Sequence, residues 1–269
     1  MTYERIACLS TEAVETLYAL GAQDRIAGIS GFTVRPPEAR RDKPKISGFS
    51  SSRIERILAV RPDLVIGYSN LQADILRDLA QAGVEVHLFN QHDVGGIFRM
   101  IATLSALVDR RDEGEGLCAR LRAVIDATKQ AASGWTRRPR MYFEEWNDPL
   151  ISGIGWVSEL MTIAGGTDVF ADLAGHHGAR DRIIADGGEV VRRAPDIIVA
   201  SWCGKKFQHA SLVSRPGWDA IPAVRSGSVA EIKSPDILSP GPSAITHGLP
   251  QLHALVAAWQ ASHASRETA

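Results

Sequence analysis

The fold is decided by two segments with one shared pattern, Ile54–Gly67, IERILAVRPDLVIG, and Val190–Ser201, VVRRAPDIIVAS. Each begins as the end of a helix, passes through Pro-Asp and finishes in an unbroken apolar run. Proline ends a helix, and a continuous run of Leu, Val and Ile is typical of a strand buried on both faces. Pro62 and Pro195 are separated by about half of the 269 residues, so the sequence predicts two similar α/β halves.

Other segments support two lobes joined by a helix. Leu20–Ile29, LGAQDRIAGI, and Ala164–Leu173, AGGTDVFADL, each predict a helix that ends at glycine and a short strand after it. Residues 112–131 predict one long helix between the halves. We therefore predict an α/β fold of two doubly wound parallel-sheet lobes joined by one long interlobe helix. The predicted limits are 1–108 for the N-terminal lobe, 109–135 for the helix and 136–269 for the C-terminal lobe.

Several local patterns predict individual elements. Ser52 and Glu55 have the spacing of a capping box at a helix start. Residues 33–45 are rich in Pro and Arg and predict a solvated loop. Residues 140–143 predict a strand that ends before Glu144, and Pro250 predicts a kink or stagger in a last helix over 243–259.

Composition excludes some classes of partner. The formal net charge is −1, so no basic field indicates nucleic-acid binding. The longest near-apolar stretch, residues 97–108, is too short to span a bilayer, and no membrane insertion is expected. Cys8, Cys118 and Cys203 lack the spacing of a metal site. The first residues, MTYER, lack the features of an export signal, which predicts a cytoplasmic protein, or a periplasmic one if the true N-terminus is missing.

The chain resembles the helical-backbone (class III) periplasmic substrate-binding proteins that serve importers of vitamin B12, haem and iron-siderophores. The EEWNDP and GW segments are most similar to cobalamin-binding members. The resemblance covers nearly the whole chain and rests on RIACLSTEAVETLYALGAQDRIAGIS, KISGFSSSRIERILAVRPDLVIG, RPRMYFEEWNDPLISGIGWVSELMTIAGGTDVF, SRPGWDAIPAVRSGSVAEI and LSPGPS. It implies two doubly wound lobes, one long helix between them and a ligand in the interlobe cleft.

The resemblance also implies how a partner would dock. In the family, one glutamate on each lobe contacts an ABC permease. Glu55 matches the first position, whereas the second falls on Gly188, with Glu189 one step away. Because neighbouring helix residues are turned about 100° apart, we predict that the chain is not a standard delivery subunit. It is expected to act as a monomer.

Ligands of open parallel sheets bind beyond the carboxyl ends of the strands. The loops predicted at those ends are rich in flat aromatic and polar side chains, which suit a large planar ligand with amide edges. The predicted ligand-binding residues are Phe49, Ser50, Tyr68, Glu144, Trp146, Trp156, Trp202, Cys203, Lys205 and Asp236.

Each of these residues also has a structural interpretation. Trp146 and Trp202 each follow a predicted strand directly, which favours a pocket over a packing role. Trp156 is as compatible with packing as with ligand contact, and Trp218 is predicted to lie in the core. Glu144 and Glu145 should face opposite sides of a strand, which argues against a catalytic pair. Lysines near Cys203 would lower its pKa, but no triad pattern accompanies the thiol.

The sequence predicts binding without catalysis, with cobalamin or a related corrinoid as ligand and no metal or catalytic cofactor held by the protein. The histidines show no metal-binding spacing. Two alternatives stay open. One is an iron-siderophore or haem binding protein of an ABC importer. The other is a cytoplasmic enzyme or ligand sensor on the same fold.

Overall fold

The computed structural model describes residues 2–267, which divide into two compact units. The first comprises the chain up to Leu121 together with Ser239–Pro242, and the second comprises Arg122–Leu238 and the chain from Ser243 onward. Each unit is an α/β structure, so the predicted fold class is confirmed. The division falls inside the longest helix, Arg111–Ala132, and the predicted domain limits stay a prediction.

The first unit is built on a five-stranded parallel sheet with the order β3-β2-β1-β4-β5. Its strands are β1 (Ile6–Cys8), β2 (Ile26–Ser30), β3 (Lys45–Ser47), β4 (Leu64–Tyr68) and β5 (Glu85–Phe89). Its helices are α1 (Thr11–Ala19), α2 (Pro37–Asp42), α3 (Ile54–Leu58), α4 (Ala73–Gln81), α5 (Val94–Leu107) and the start of α6 (Arg111–Ala132). The strand order reverses between β1 and β4, which is where sheets of this kind open a crevice for ligands.

The second unit contains a mixed sheet with the order β10-β9-β6-β7. Its strands are β6 (Arg140–Asn147), β7 (Leu150–Ser152), β8 (Thr167–Asp168), β9 (Ile197–Ala200) and β10 (Val229–Glu231). Only β7 is antiparallel, and it shares one edge of β6 with the short parallel strand β8. The helices are α7 (Gly155–Ile163), α8 (Ala171–Ala174), α9 (Gly188–Arg193), α10 (His209–Val213), α11 (Pro222–Ser226), α12 (Ser234–Ile237) and α13 (Leu249–Glu267).

The two Pro-Asp motifs do the same structural work in the two units. The backbone N–H of Asp63 donates to Arg5 O at 3.0 Å, and its carboxylate accepts from Arg5 N at 3.0 Å. Asp196 repeats both bonds with Arg140, at 2.7 and 2.9 Å. Each aspartate therefore fixes the register at which the central strand of its sheet begins. This reciprocal pair explains why Pro-Asp recurs between a helix and a buried strand.

Several predicted elements are wrong in detail. Ser52 and Glu55 form no capping box, because α3 begins one residue later, after Arg53, and Ser52 Oγ has no hydrogen-bond partner. The predicted loop at 33–45 contains α2, which begins at Pro37, a favourable first helical residue. The last helix is interrupted by a π-helical segment at Ala244–Gly248, just before Pro250, which agrees with the predicted stagger.

Candidate ligand-binding site

In the first unit, the predicted ligand residues lie around the carboxyl end of β4. Phe49 and Ser50 are exposed, whereas Tyr68 is 8% exposed and donates its hydroxyl to Gln91 O at 3.3 Å. Phe49 and Ser50 therefore meet solvent directly, and Tyr68 offers only a small part of its ring.

Gln72 organises this end of the sheet and was missed by the sequence analysis. Its amide nitrogen donates to Leu9 O at 3.2 Å and to Phe49 O at 2.8 Å, and its oxygen accepts from Tyr68 N at 2.9 Å. The side chain is completely buried, so one amide ties the ends of β1 and β4 to the loop that carries Phe49. A glutamine at the start of a helix gives no signal of such a role.

In the second unit, the predicted strand end is wrong. β6 continues to Asn147 and turns through Asp148-Pro149 into β7, so Glu144, Glu145 and Trp146 lie within the strand. The antiparallel partner supplies the ladder hydrogen bonds that allow β6 to extend past its parallel neighbour β9. These three side chains therefore stand on a hairpin, which is a firmer support than the predicted loop.

Glu144 is a structural residue. Its side chain is completely buried and accepts two bonds from the Arg215 guanidinium, at 2.5 and 2.9 Å. Trp202 Nε1 donates to it at 2.8 Å, and the Tyr142 hydroxyl donates at 3.2 Å. Burial first, and the nearby carboxylate second, raise the pKa of Tyr142 well above its ordinary value. The carboxylate is satisfied from within the unit, so the structure gives no support to the ligand contact predicted for Glu144.

Glu145 is held in the same way by a different arginine. Arg182, itself 1% exposed, donates to the Glu145 carboxylate at 2.7 and 3.1 Å and also binds Ser152 O in β7. The two adjacent glutamates thus bind separate arginines, as expected for side chains that alternate along a strand. This pair clamps the β6–β7 hairpin from one side.

The segment after β9 carries three predicted residues with different surroundings. Trp202 is 3% exposed and belongs to the core cluster of the second unit, so its indole is mainly a packed side chain. Cys203 is exposed as a residue, yet desolvation of its sulfur, followed by the charge of Glu145, raises the thiol pKa. The expectation that nearby lysines lower this pKa is therefore wrong.

Lys205 contacts two indole rings and one side-chain amide. Its Nζ lies 5.4 Å from the ring centroid of Trp202 and 5.6 Å from that of Trp146, within cation–π range. It also donates to Asn147 Oδ1 at 3.0 Å. We refer to Trp146, Asn147, Trp202 and Lys205 as the indole–lysine cluster. Trp146 is half-buried and Lys205 exposed, so the cluster can present a flat apolar face beside a cation.

The remaining predicted residues pack against the protein. Trp156 is 3% exposed and donates its indole N–H to Ile237 O at 2.8 Å, which supports the packing interpretation. Asp236 lies in α12 and accepts from Gln251 at 3.1 Å. Trp218 is 1% exposed, as predicted for a core residue.

The two candidate docking glutamates differ sharply. Glu55 is exposed on α3 and forms no ion pair with any described residue. Glu189 on α9 pairs with Arg192 and Arg193 at 2.7 Å each, and Arg193 in turn binds Asp172. These partners lower the pKa of Glu189, with the Arg193 hydrogen bond as the largest cause.

A cavity of about 200 Å³ lies in the first unit at the end of β5. None of the residues predicted to bind ligand lines it. Its walls are His87, Phe89, Asn90, Gln91, Gly96, Arg99, Met100 and Thr103. In the part of the chain that the structure describes, no three His, Cys, Asp or Glu side chains are grouped to hold a metal ion, and no helix is long and apolar enough to span a membrane.

Comparison with known proteins places the chain in a family. The model of the periplasmic binding protein family matches residues 6–235. A vitamin B12-binding protein of Vibrio parahaemolyticus is 29% identical over 247 residues, which cover 89% of this chain and 84% of that protein.

Solved structures agree on the fold. A periplasmic haem-binding protein, BhuT, in complex with two haems, superposes with a TM-score of 0.81 at 23% identity and covers 97% of this chain and 100% of its own. The vitamin B12 binding protein BtuF of Vibrio cholerae gives 0.78 at 21% identity, with 96% and 98% covered. Because the family model matches most of this chain, the chain belongs to the periplasmic binding protein family.

Proposed function

We propose that this protein binds cobalamin or a related corrinoid without chemical turnover. The observation that carries the proposal is the likeness, over 89% of the chain, to a protein named for vitamin B12 binding. The indole–lysine cluster supports it, because a half-buried indole on the β6–β7 hairpin beside an exposed cation on the loop after β9 suits a flat macrocycle with polar edges. Phe49 and Ser50 in the first unit and Cys203 in the second are further exposed candidates.

Binding without catalysis fits the state of the titratable groups. Glu144 and Glu145 are engaged by Arg215 and Arg182, so both carboxylates already have partners within the second unit. The raised pKa of Cys203 disfavours the thiolate that nucleophilic catalysis requires. The enzyme alternative therefore lacks an activated group among the residues that the sequence singled out.

Titration of the purified protein with cyanocobalamin, monitored by tryptophan emission and by calorimetry, tests the proposal. Trp146→Leu is expected to weaken binding about fivefold, since stacking on an indole contributes roughly 1 kcal/mol beyond buried area. Trp135→Leu is a matched control, because Trp135 is also half-buried but stacks on His253 within the second unit. Absence of any saturable response to cyanocobalamin would refute the corrinoid assignment.

The absorption spectrum of protein purified from its native host distinguishes a bound corrinoid from the other candidate ligands, haem and ferric siderophore. Each of these chromophores has its own visible bands. A haem or ferric-siderophore spectrum, with no corrinoid bands, would replace the proposed ligand by that alternative while leaving the binding function in place.

Service with an ABC permease is a separate part of the proposal, and it departs from the prediction that the chain is not a standard delivery subunit. Exposed and unpaired Glu55 is available to a partner, whereas Glu189 is already shared between two arginines. We propose that the first unit carries the stronger docking contact. Loss of corrinoid uptake on Glu55→Ala, with little effect of Glu189→Ala, is the expected result, and equal effects of the two would contradict it.

Location bears on the same question. The matched family and the solved relatives are named as periplasmic proteins, which gives no support to the predicted cytoplasmic location. Fractionation of the native host, with marker enzymes for each compartment, decides between the two locations. A periplasmic protein would agree with service to an importer, and a cytoplasmic one would favour the ligand-sensor alternative.

A further inference from the structure

The loop after β9 holds the backbone of Lys205 in one place. Beyond the last paired residue of β9, Ser201 N donates to Glu144 O at 2.9 Å. Trp202 O then accepts from Lys205 N at 3.2 Å and from Ser234 Oγ at 3.2 Å. Gly204 has a φ of +71°, a left-handed conformation that favours glycine and closes the tight turn. The lysine therefore starts from a fixed turn and not from a free loop.

The ammonium group of Lys205 contacts only neutral groups. Its partners are the two indole faces and Asn147 Oδ1, and it forms no ion pair with a described residue. The carboxylates nearest along β6, Glu144 and Glu145, are each neutralised by a bidentate arginine. Lys206 adds a second exposed positive charge beside it. The cluster thus offers an oriented cation that forms no ion pair with a described residue of the second unit.

We propose that Lys205 Nζ binds an acidic oxygen on the rim of the ligand and so selects flat macrocycles that carry a phosphate or carboxylate group. The inference rests on the proposed function and names the substrate class of the same site. An ammonium pairs more strongly with an anionic oxygen than with an amide oxygen, because both partners are charged. A macrocycle stacked on Trp146 would bring its edge to the position that Lys205 now covers. The ammonium could then exchange Asn147 Oδ1 for the ligand oxygen.

The shared chemistry has two sources among the candidate ligands. Cobalamin carries one phosphodiester in its nucleotide loop, and cobinamide lacks that loop. Haem carries two carboxylates, and its dimethyl ester carries none. Each pair of compounds therefore differs in the anionic group while keeping the flat macrocycle.

Calorimetry with cyanocobalamin, dicyanocobinamide, haem and haem dimethyl ester tests the proposal on three proteins. These are the wild type, Lys205→Met, which keeps most of the apolar stem, and Lys206→Met, which removes the neighbouring charge. Lys205→Met should weaken binding of the anionic member of a pair about tenfold, which is the low end for a hydrogen bond between charged groups. It should weaken binding of the uncharged member less than about twofold. Lys206→Met should change neither by more than about twofold.

Salt provides a second readout that loss of packing would not produce. Between about 0.05 M and 0.5 M KCl, wild-type affinity for the anionic ligand should fall, and Lys205→Met should remove most of that dependence. The quantity compared is the difference in affinity between the two compounds of a pair. Other contacts to the nucleotide loop contribute equally to this difference in wild type and variant, so they cancel. Circular dichroism melts establish that both variants are folded.

The outcomes distinguish two failures. Wild-type protein that binds none of the four compounds overturns the proposed ligand class and the role of Lys205 with it. Wild-type protein that binds a macrocycle, but loses both members of its pair equally on Lys205→Met or is insensitive to the change, overturns the role of Lys205 alone. A tenfold selective loss with flat salt dependence also counts against it.

Discussion

In each unit a glutamate is buried near the carboxyl end of the central strand, and the two differ in whether a cation lies beside the buried carboxylate. Glu12, in the first turn of α1, is 3% exposed, and Glu144 in β6 is 0% exposed. Glu144 receives a bidentate arginine, an indole N–H and a phenol hydroxyl. Glu12 has no cation within ion-pair distance among the described residues. Equal burial therefore produces a fixed ion pair in one unit and a proton-binding group in the other.

The local partners explain the difference. The Thr11 hydroxyl donates to Glu12 Oε2 at 3.2 Å, and Oε1 is buried with no hydrogen-bond partner among the described residues. Burial raises the pKa of Glu12 to about 7, against the smaller lowering effects of the backbone and of the Thr11 and Ser10 hydroxyls. Buried carboxylates without a cation favour the protonated form because desolvation penalises the charge.

The largest expected effect comes from leaving Glu144 without its arginine. Arg215→Met should lower the free energy of unfolding by about 3–5 kcal/mol, the range for removing one partner of a buried ion pair. Urea denaturation at neutral pH measures it. The double variant Arg215→Met/Glu144→Met should recover part of the loss, since replacing both charges by apolar groups is often close to neutral. A single-variant loss below about 1 kcal/mol would contradict the role assigned to this pair.

Glu12→Gln should have a smaller effect that depends on pH. The folded-state pKa of about 7 lies above the ordinary value of 4.5, so the folded protein binds one more proton than the unfolded chain between those values. Its contribution to stability is therefore complete below about pH 4.5 and is lost as the pH rises to about 7.

The glutamine variant should remove this loss. It should match the wild type near pH 4.5 and be more stable at pH 8 by up to about 3 kcal/mol, at 1.36 kcal/mol per pKa unit. Urea denaturation over this pH range measures the difference between the two proteins. Asp168, whose pKa burial also raises, is present in both and cancels in that difference. A difference that does not change with pH would show that Glu12 does not titrate in this range.

Trp202→Phe tests the neutral donors of Glu144. The phenyl ring keeps most of the packing but cannot donate the 2.8 Å bond from Nε1. A loss of about 2 kcal/mol is expected, because one bond to a buried charge disappears and a small void remains. Thermal unfolding measures the effect. Trp259→Phe is a suitable control, since Trp259 is 6% exposed and stacks on His263. Equal losses for both variants would reduce the role of Trp202 to packing.

The fold was predictable from the sequence because its signals are local. The Pro-Asp motifs, the glycines at helix ends and the apolar runs each act over a few residues, and the register bonds of Asp63 and Asp196 express them directly. The β6–β7 hairpin also had a local signal in Asp148-Pro149, a favourable turn pair, which the charged residues before it concealed.

The candidate site was less predictable because its decisive partners are distant in sequence. Arg215 lies 71 residues from Glu144, and Arg182 lies 37 residues from Glu145. The local sequence pattern does not distinguish a glutamate that pairs with a distant arginine from one that contacts a ligand. Trp202 illustrates the same limit, because its position after a strand predicts a pocket, while its burial is decided by the side chains packed around it.

The smallest expected effect concerns the Thr11 hydroxyl, which donates to Glu12. Thr11→Val removes the bond to Oε2 at 3.2 Å and the contact with Ser239 Oγ at 3.1 Å. Because the hydroxyl favours the charged carboxylate, its loss should raise the pKa of Glu12 further and destabilise the protein most above that pKa. A loss of about 1 kcal/mol at pH 8, and less at pH 5, is expected for one hydrogen bond. Thr16→Val is the matched control on the same helix, since its hydroxyl donates to the Glu12 backbone carbonyl at 2.8 Å and its effect should not vary with pH. In the Glu12→Gln background the pH dependence of Thr11→Val should disappear, and its persistence there would mean that the hydroxyl acts through Ser239 and not through the carboxylate.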